Sequence, residues 1–324
     1  MPILSAGPQH TEKEEGVPMC IATLQSVLKE GQAFAPDTWD GISTKAAETI
    51  GCKTALFSAT AYAHSVRGIP DEGVLGVTET VWAVSRLVED NCSIPLVIDI
   101  RSGFSDNLKV MPYDLYRIVK AGAAAVMMDD RAYGSGADSE EVHLVSAELF
   151  AKKIALLRQA VENTDCMVIA RSFSEDPEDA VKRLLLAKEA GAEIIGAAFA
   201  HTEADARFLA EKLPGMKLWN DLTVDENGDP EVSKETLDEL GYRLVFMTFM
   251  EKAAWYGDMD FGIKNLENGS TVYADTNDFG GMLRDADGKL VDYHVIFSYW
   301  KKWMPLEKKF MDLQELGPDA FQFK

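Results

Sequence analysis

Three short apolar runs each end in a charged residue: Pro95-Leu-Val-Ile-Asp99, Ala125-Val-Met-Met-Asp129-Asp130 and Met167-Val-Ile-Ala-Arg171. Each run has the length of a buried parallel strand, and each is followed by a helical pattern. Charged groups at the carboxyl ends of parallel strands sit where open and closed parallel sheets do their chemistry. Acids by themselves would suggest a cation site. Acids together with an arginine suggest a cation and an anionic substrate.

Positioning these residues takes a regular alternation of elements, and the chain supplies one. Strand candidates occur at Gln32–Ala35, Thr54–Ser58, Leu96–Asp99, Ala125–Asp129, Val168–Arg171, Glu193–Ala197, Lys217–Trp219 and Arg243–Met247. Helical spacing of apolar residues fills the gaps, as in Val77–Val88, Tyr113–Lys120, Ala147–Val161 and Pro177–Ala190. The last of these has acids in its first turn and Gly191 just past its end. Eight strands alternating with helices predict an α/β fold, a (β/α)8 TIM-type barrel. The competing doubly wound sheet lacks a Gly-x-Gly-x-x-Gly after its first strand, and Gly134-Ser-Gly136 comes late and without the third glycine.

From about Gly257 the alternation stops. Residues 1–256 read as the barrel with an N-terminal helix. Residues 257–324 read as a hairpin-like excursion, with Asn268-Gly and Asp287-Gly turn signals, and a helical extension rich in aromatics over Tyr293–Met311. That extension is expected to pack on the barrel or on a neighbouring subunit, with a helix swap between copies as one arrangement.

Bulk properties limit the partners. A formal charge of −21 gives no basic field to attract nucleic acid or an anionic membrane surface. A local arginine or a bound cation can still hold a small anion. Cys20, Cys52, Cys92 and Cys166 show no metal-ligand spacing and read as unpaired thiols. The N-terminal stretch has no secretory apolar region and no run approaches membrane-spanning length, so the expectation is a cytoplasmic protein.

With these residues in hand, the chain resembles the phosphoenolpyruvate mutase/isocitrate lyase superfamily. The resemblance rests on Pro95-Leu-Val-Ile-Asp-Ile-Arg-Ser-Gly-Phe104, Lys120-Ala-Gly-Ala-Ala-Ala-Val-Met-Met-Asp-Asp130 and Ile169-Ala-Arg-Ser172. It extends to Leu56-Phe-Ser-Ala-Thr60 and Gly68-Ile-Pro-Asp71, and runs from about Trp39 to Ala254. It implies a barrel, assembled as a homotetramer or homodimer. It also implies a lyase that breaks or makes a carbon–carbon bond beside a 2-oxo or 2-hydroxy carboxylate through an enolate held by Mg2+, or by Mn2+. Carried over, Asp99 and Asp129 would hold the metal and Arg171 the substrate carboxylate. Ser58, Ala59, Thr60 and Asn220 would add polar contacts, and Asp71 would act as a nucleophile or electrostatic group. Phosphonopyruvate-type chemistry, decarboxylation on the same scaffold and anion binding without turnover stay open as alternatives.

The chain departs from that pattern in three places. Arg101 stands where the superfamily has the second acid of D-x-D; it is either a second anion clamp or a partner for an acid such as Asp106. The loop after the fourth strand, Arg131 to His143, has neither the lyase cysteine nor a lysine, leaving Tyr133, Asp138, Ser139 and His143 as unassigned polar groups of a lid-like segment. His201, after the sixth strand, is either an acid–base group or the start of a helix, and His64 has a similar claim. Two acids carry a structural alternative as well. Asp130 either joins the site or pairs with a cation such as Arg131, and Asp71 either reacts or shapes its turn.

Overall fold

The computed structural model describes residues 22–269 other than Val74 and Cys92. Eight parallel strands close in sequence order, β1 (Ala33–Thr38), β2 (Ala55–Phe57), β3 (Leu96–Asp99), β4 (Ala125–Asp129), β5 (Met167–Ser172), β6 (Ile194–Ala197), β7 (Met216–Trp219) and β8 (Tyr242–Met247). The expected (β/α)8 barrel is therefore the fold. Strand β1 runs on through Pro36 to Thr38, beyond the end expected at Ala35. Pro36 is in register with Met247 of β8, and pairing with β2 begins at Asp37, so the ladder tolerates the missing N–H.

Helices follow the strands on the outside: α2 (Gly41–Thr49), α3 (Ala59–Arg67), α4 (Val77–Arg86), α5 (Met111–Lys120), α6 (Ala147–Ala160), α7 (Pro177–Glu189), α8 (Glu203–Lys212), α9 (Lys234–Glu239) and α10 (Met250–Asn268). Their starts are written in the sequence. Asp176 caps α7 by accepting from the backbone N–H groups of Glu178 and Asp179, with Pro177 at the first helical position, and Ser146 caps α6. Helix α10 passes through Gly257 without a break, so the domain boundary expected after residue 256 falls inside a helix. The expected hairpin over Thr271 and Asp287, the aromatic helix Tyr293–Met311, Cys20 and Cys92 lie outside the described residues. Of the thiols that can be placed, Cys166 is buried and pushed up to about 12 by that burial, and Cys52 is half-buried.

Two apolar layers hold the barrel. Outward-facing strand residues pack under the helices in one cluster. Inward-facing residues fill the barrel interior: Ala33 and Ala35 of β1, Leu56 of β2, Val97 of β3, Ala125 and Met127 of β4, Met167 and Ile169 of β5, Ile194 of β6, Leu218 of β7, Leu244 and Phe246 of β8. Leu24 and Leu28 of helix α1 (Leu24–Glu30), which precedes β1, join the same cluster and plug the N-terminal end. Strand side chains alternate between faces, so the next inward position after the apolar layer is the barrel's C-terminal rim. That step carries Asp37, Ser58, Asp99, Asp129, Arg171 and Asn220 to the mouth.

Leu24→Ala is expected to cost about 3 kcal/mol of stability, read as a lower urea midpoint, because it hollows the plug of the interior layer. A shift below about 1 kcal/mol would mean that α1 does not seal the barrel.

Candidate active site

At the rim, Asp129 and Arg171 are register partners across β4 and β5, and Asp99 ends the adjacent β3. All three are buried. Arg171 Nη2 donates to Asp99 Oδ2 at 3.0 Å and lies 3.5 Å from Asp129 Oδ2, while its Nη1 donates to Asn220 Oδ1 at 3.2 Å. The structure thus brings Asp99, Asp129, Arg171 and Asn220 together. The Arg171 Nε–H is buried and has no acceptor among the described residues.

Two further arginines enter from the strand-end loops. Arg131 wraps back on Asp129, with Nη2 at 2.7 Å from Oδ2 and Nε at 3.2 Å from both oxygens. Burial works to raise the Asp129 pKa, but Arg131 and Arg171 outweigh it and hold the carboxyl below its usual range. Both guanidinium groups lie over the Phe173 ring, at 4.1 Å for Arg131 and 4.8 Å for Arg171. Arg101 sits at φ +50°, an uncommon left-handed backbone for a residue other than glycine. Its N–H donates to Asp99 Oδ1 at 2.8 Å and its Nε to Asp71 Oδ2 at 3.0 Å, and its Nη2 forms an ion pair with Asp71 Oδ1. Of the two orientations left open for Arg101, the structure pairs it with a rim acid, Asp71, and not with Asp106. Asp106 instead takes buried Lys153 at 2.5 Å.

Asp130 is one position out of phase and faces away from the mouth. It accepts from Ser172 Oγ at 2.6 Å and Phe173 N–H at 2.7 Å, and lies 3.6 Å from Arg183. Its partner is therefore Arg183, and Arg131 belongs to Asp129. Ser58 accepts from Ala61 N–H as the cap of α3, with Ala59 buried behind it; Thr60 Oγ1 donates to Asp71 Oδ2 at 2.7 Å. His201 is exposed just ahead of α8, its backbone N–H directed at Asp205, and its ring makes no hydrogen bond with the Asp99–Arg171 cluster. The helix-start alternative describes its position. Sequence reasoning missed Asp37, which accepts from Met250 N–H at 2.9 Å and is raised to about 6, chiefly by burial. Its signal was present: Asp37 lies two residues beyond Ala35, the same step that separates Val97 from Asp99.

The loop after β4 is fastened over the mouth. Ala132 N–H bonds His143 O, and Asp138 N–H bonds Asp71 O at 3.0 Å while Asp138 Oδ2 accepts from Asp71 N–H at 2.6 Å. Ala137 N–H donates to Asp71 Oδ2, and Ser139 Oγ to Glu72. Gly136 makes the approach feasible, because a Cβ there would stand 1.8 Å from Asp71 O. Tyr133 and His143 stay exposed. His64 ties this loop to α3 and α10: its Nε2 lies 2.6 Å from Asp138 Oδ2 and its Nδ1 2.7 Å from Glu251 Oε1.

The resemblance assigns Mg2+ to Asp99 and Asp129, whose oxygens are already engaged. All six carboxylate oxygens of Asp71, Asp99 and Asp129 already accept from a guanidinium, a backbone N–H or a hydroxyl. Three carboxylates are balanced by three arginines. Like unit charges about 4 Å apart repel by about 4 kcal/mol at an effective dielectric near 20, and a divalent ion doubles that for each guanidinium. Mg2+ also demands near-octahedral oxygen ligation with several retained waters. Among the described residues, no group of three or more His, Cys, Asp or Glu side chains is placed to hold a metal. As built, these residues do not fit a directly coordinated Mg2+ or Mn2+.

Residues 24–260 match the family described as phosphoenolpyruvate phosphomutase. The chain belongs to that family. Among its relatives, the petal death protein of Dianthus caryophyllus is 28% identical, over 69% of this chain and 71% of that protein. The 2,3-dimethylmalate lyase of Eubacterium barkeri is also 28% identical, over 65% of this chain and 73% of that protein. Among solved structures, oxaloacetate acetylhydrolase in complex with 3,3-difluorooxalacetate superimposes with a TM-score of 0.74 at 18% identity, covering 89% of this chain and 95% of that one. This family member is an enzyme of the phosphoenolpyruvate mutase/isocitrate lyase superfamily, and its matches include proteins named as lyases, mutases and decarboxylases. Among the described residues no helix is long and apolar enough to cross a membrane.

His64 supplies a pH test. Burial lowers its pKa, but hydrogen bonds to Asp138 and Glu251 outweigh that and leave it above 6.5. The imidazolium can donate to both carboxylates; the neutral ring has one N–H and must set a lone pair against the other acid. Its contribution is therefore complete below about 6.5 and is lost as pH rises through the raised value. Hydrogen exchange in residues 132–143, corrected for its intrinsic pH dependence, is expected to accelerate across that rise, and His64→Gln should abolish the step. An unchanged profile in the wild-type protein would remove His64 as the fastening.

Proposed function

We propose that this enzyme is a carbon–carbon lyase for a small 2-oxo or 2-hydroxy dicarboxylate, working through an enolate-type intermediate. The observation that carries the reading is the buried Nε–H of Arg171, near the C-terminal end of β5 and without an acceptor among the described residues, beside two further guanidinium groups. The names of the relatives support it: 2,3-dimethylmalate is a 2-hydroxy dicarboxylate and oxaloacetate a 2-oxo dicarboxylate.

The chemistry sets the demands on the site. When a 2-hydroxy dicarboxylate cleaves, the hydroxyl loses its proton and becomes a carbonyl as the C2–C3 bond breaks. The bonding pair passes to C3 and spreads onto the second carboxylate, and a proton then returns to that carbon. One end of the substrate therefore carries a fixed negative charge, and the other gains charge in the transition state. Arg171 suits the fixed carboxylate, with Asn220 orienting its Nη1 edge and Ser58, Ala59 and Thr60 lining the start of α3. Arg101 and Arg131 suit the end where charge develops, because preorganised donors act most strongly there. Asp71, with both oxygens accepting hydrogen bonds, positions Arg101. The loop on Asp71 excludes water from the mouth. No step is assigned to Mg2+ or to His201.

Anion binding without turnover is the second reading. Its support is that every oxygen of the three rim acids is engaged, while the lyase-type cysteine is absent from the loop. Assembly as a homodimer or homotetramer is proposed as well, supported by the exposed Trp255, Tyr256, Met259 and Leu266 on α10.

A panel of 2-hydroxy and 2-oxo dicarboxylates, assayed for release of a 2-oxo acid, separates the readings. Turnover is expected, and Arg171→Gln should lower kcat/KM by about 10²-fold or more, as removal of a buried charged partner for the substrate carboxylate does. Turnover indifferent to Arg171→Gln would overturn the assignment of the carboxylate site. Ligand binding with no turnover across the panel would favour the second reading.

A further inference from the structure

We propose that the barrel mouth binds its dicarboxylate directly on guanidinium groups, with Arg101 and Arg131 in the place of a divalent cation; the inference rests on the dicarboxylate reading above. Its basis is the set of partners already made. Asp99 spends one oxygen on the Arg101 N–H and the other on Arg171. Asp129 spends both on Arg131 and shares one with Arg171. Asp71 spends both on Arg101, Thr60 and the backbone N–H groups of Gly73 and Ala137. A metal entering between Asp99 and Asp129 would have to displace charged donors from buried acids, leaving those guanidinium groups buried and unpaired.

The arginines, by contrast, are held for a ligand. Arg131 and Arg171 both lie over the Phe173 ring, and Arg101 is held by a left-handed backbone and by Asp71. A guanidinium carries five N–H donors, so one acid partner leaves others for an incoming carboxylate. The Arg171 Nε–H shows such a donor with no acceptor among the described residues. The substitution that matters is Arg101, an arginine where the superfamily pattern has an acid. It turns a metal-shell position into a cation, and Arg131 adds a second.

Titration calorimetry of the full chain with oxalate, a planar dianion resembling an enolpyruvate, tests this in excess EDTA and in excess Mg2+. Binding in EDTA, with an affinity within about threefold of that in Mg2+, is the expected result. Binding that requires Mg2+ would overturn the inference and leave the dicarboxylate reading standing. Absence of binding in both conditions would overturn the dicarboxylate reading, and the inference with it. Arg101→Asp restores the superfamily's acid and should weaken oxalate binding in EDTA by about tenfold or more while creating a Mn2+ signal by electron paramagnetic resonance. Unchanged oxalate binding in a folded Arg101→Asp protein would remove Arg101 from the site. Should that variant fail to fold, Mn2+ resonance on the wild-type protein decides, with no bound signal expected and a bound signal contradicting the inference.

Discussion

Taking an ion out of water costs several kcal/mol, and the C-terminal mouth of this barrel buries three carboxylates paired with three guanidinium groups. Asp71, Asp99 and Asp129 are met there by Arg101, Arg131 and Arg171. The pairing constrains everything around it. It holds Arg101 in a left-handed backbone conformation, draws Arg131 back over the end of β4, and makes the loop that follows turn across Asp71. Removing any one partner would strand a buried charge, so the six groups stand as one unit. These six groups are electrically balanced before a ligand arrives, and a dianion entering the mouth meets oriented N–H groups and not a bare positive field.

The same pairing explains how a chain of formal charge −21 can handle an anion. The surface field is repulsive at long range but is screened within about 8 Å at physiological ionic strength, whereas the buried guanidinium groups act at contact. Association would be slowed by the surface and holding would be done by the mouth. The loop after β4 is fastened beside those contacts, to Asp71 and to His64. The fastening includes a histidine, His64, that touches neither Asp99 nor Asp129.

Much of this was legible in the sequence, because strand alternation is a strong signal. The bounds of β3 and β4 read off the apolar runs coincide with the strands observed, and the convergence of Asp99, Asp129 and Arg171 follows from their place at strand ends. Alternation carried further would have separated Asp129 from Asp130 and brought in Asp37. The partners of the arginines were not legible. Whether Arg101 meets Asp71 or Asp106 depends on a loop whose path is set by Gly136 and by backbone contacts with Asp71, neither of which has a periodic signature. Arg131 lies directly after two acids, and only the barrel's inward and outward faces decide which one it serves. For His201 the sequence leaves an acid–base role and a helix start open; Thr202 beyond it caps α8, and His201 lies exposed just ahead of that helix.

Anomalous diffraction from a crystal grown with oxalate and Mn2+ tests the guanidinium site most directly. A direct guanidinium site places oxalate oxygens within hydrogen-bond distance of Arg171 and Arg101, with no anomalous peak between Asp99 and Asp129. A manganese peak joining oxalate to Asp99 or Asp129, with the arginines swung out of the way, would contradict it.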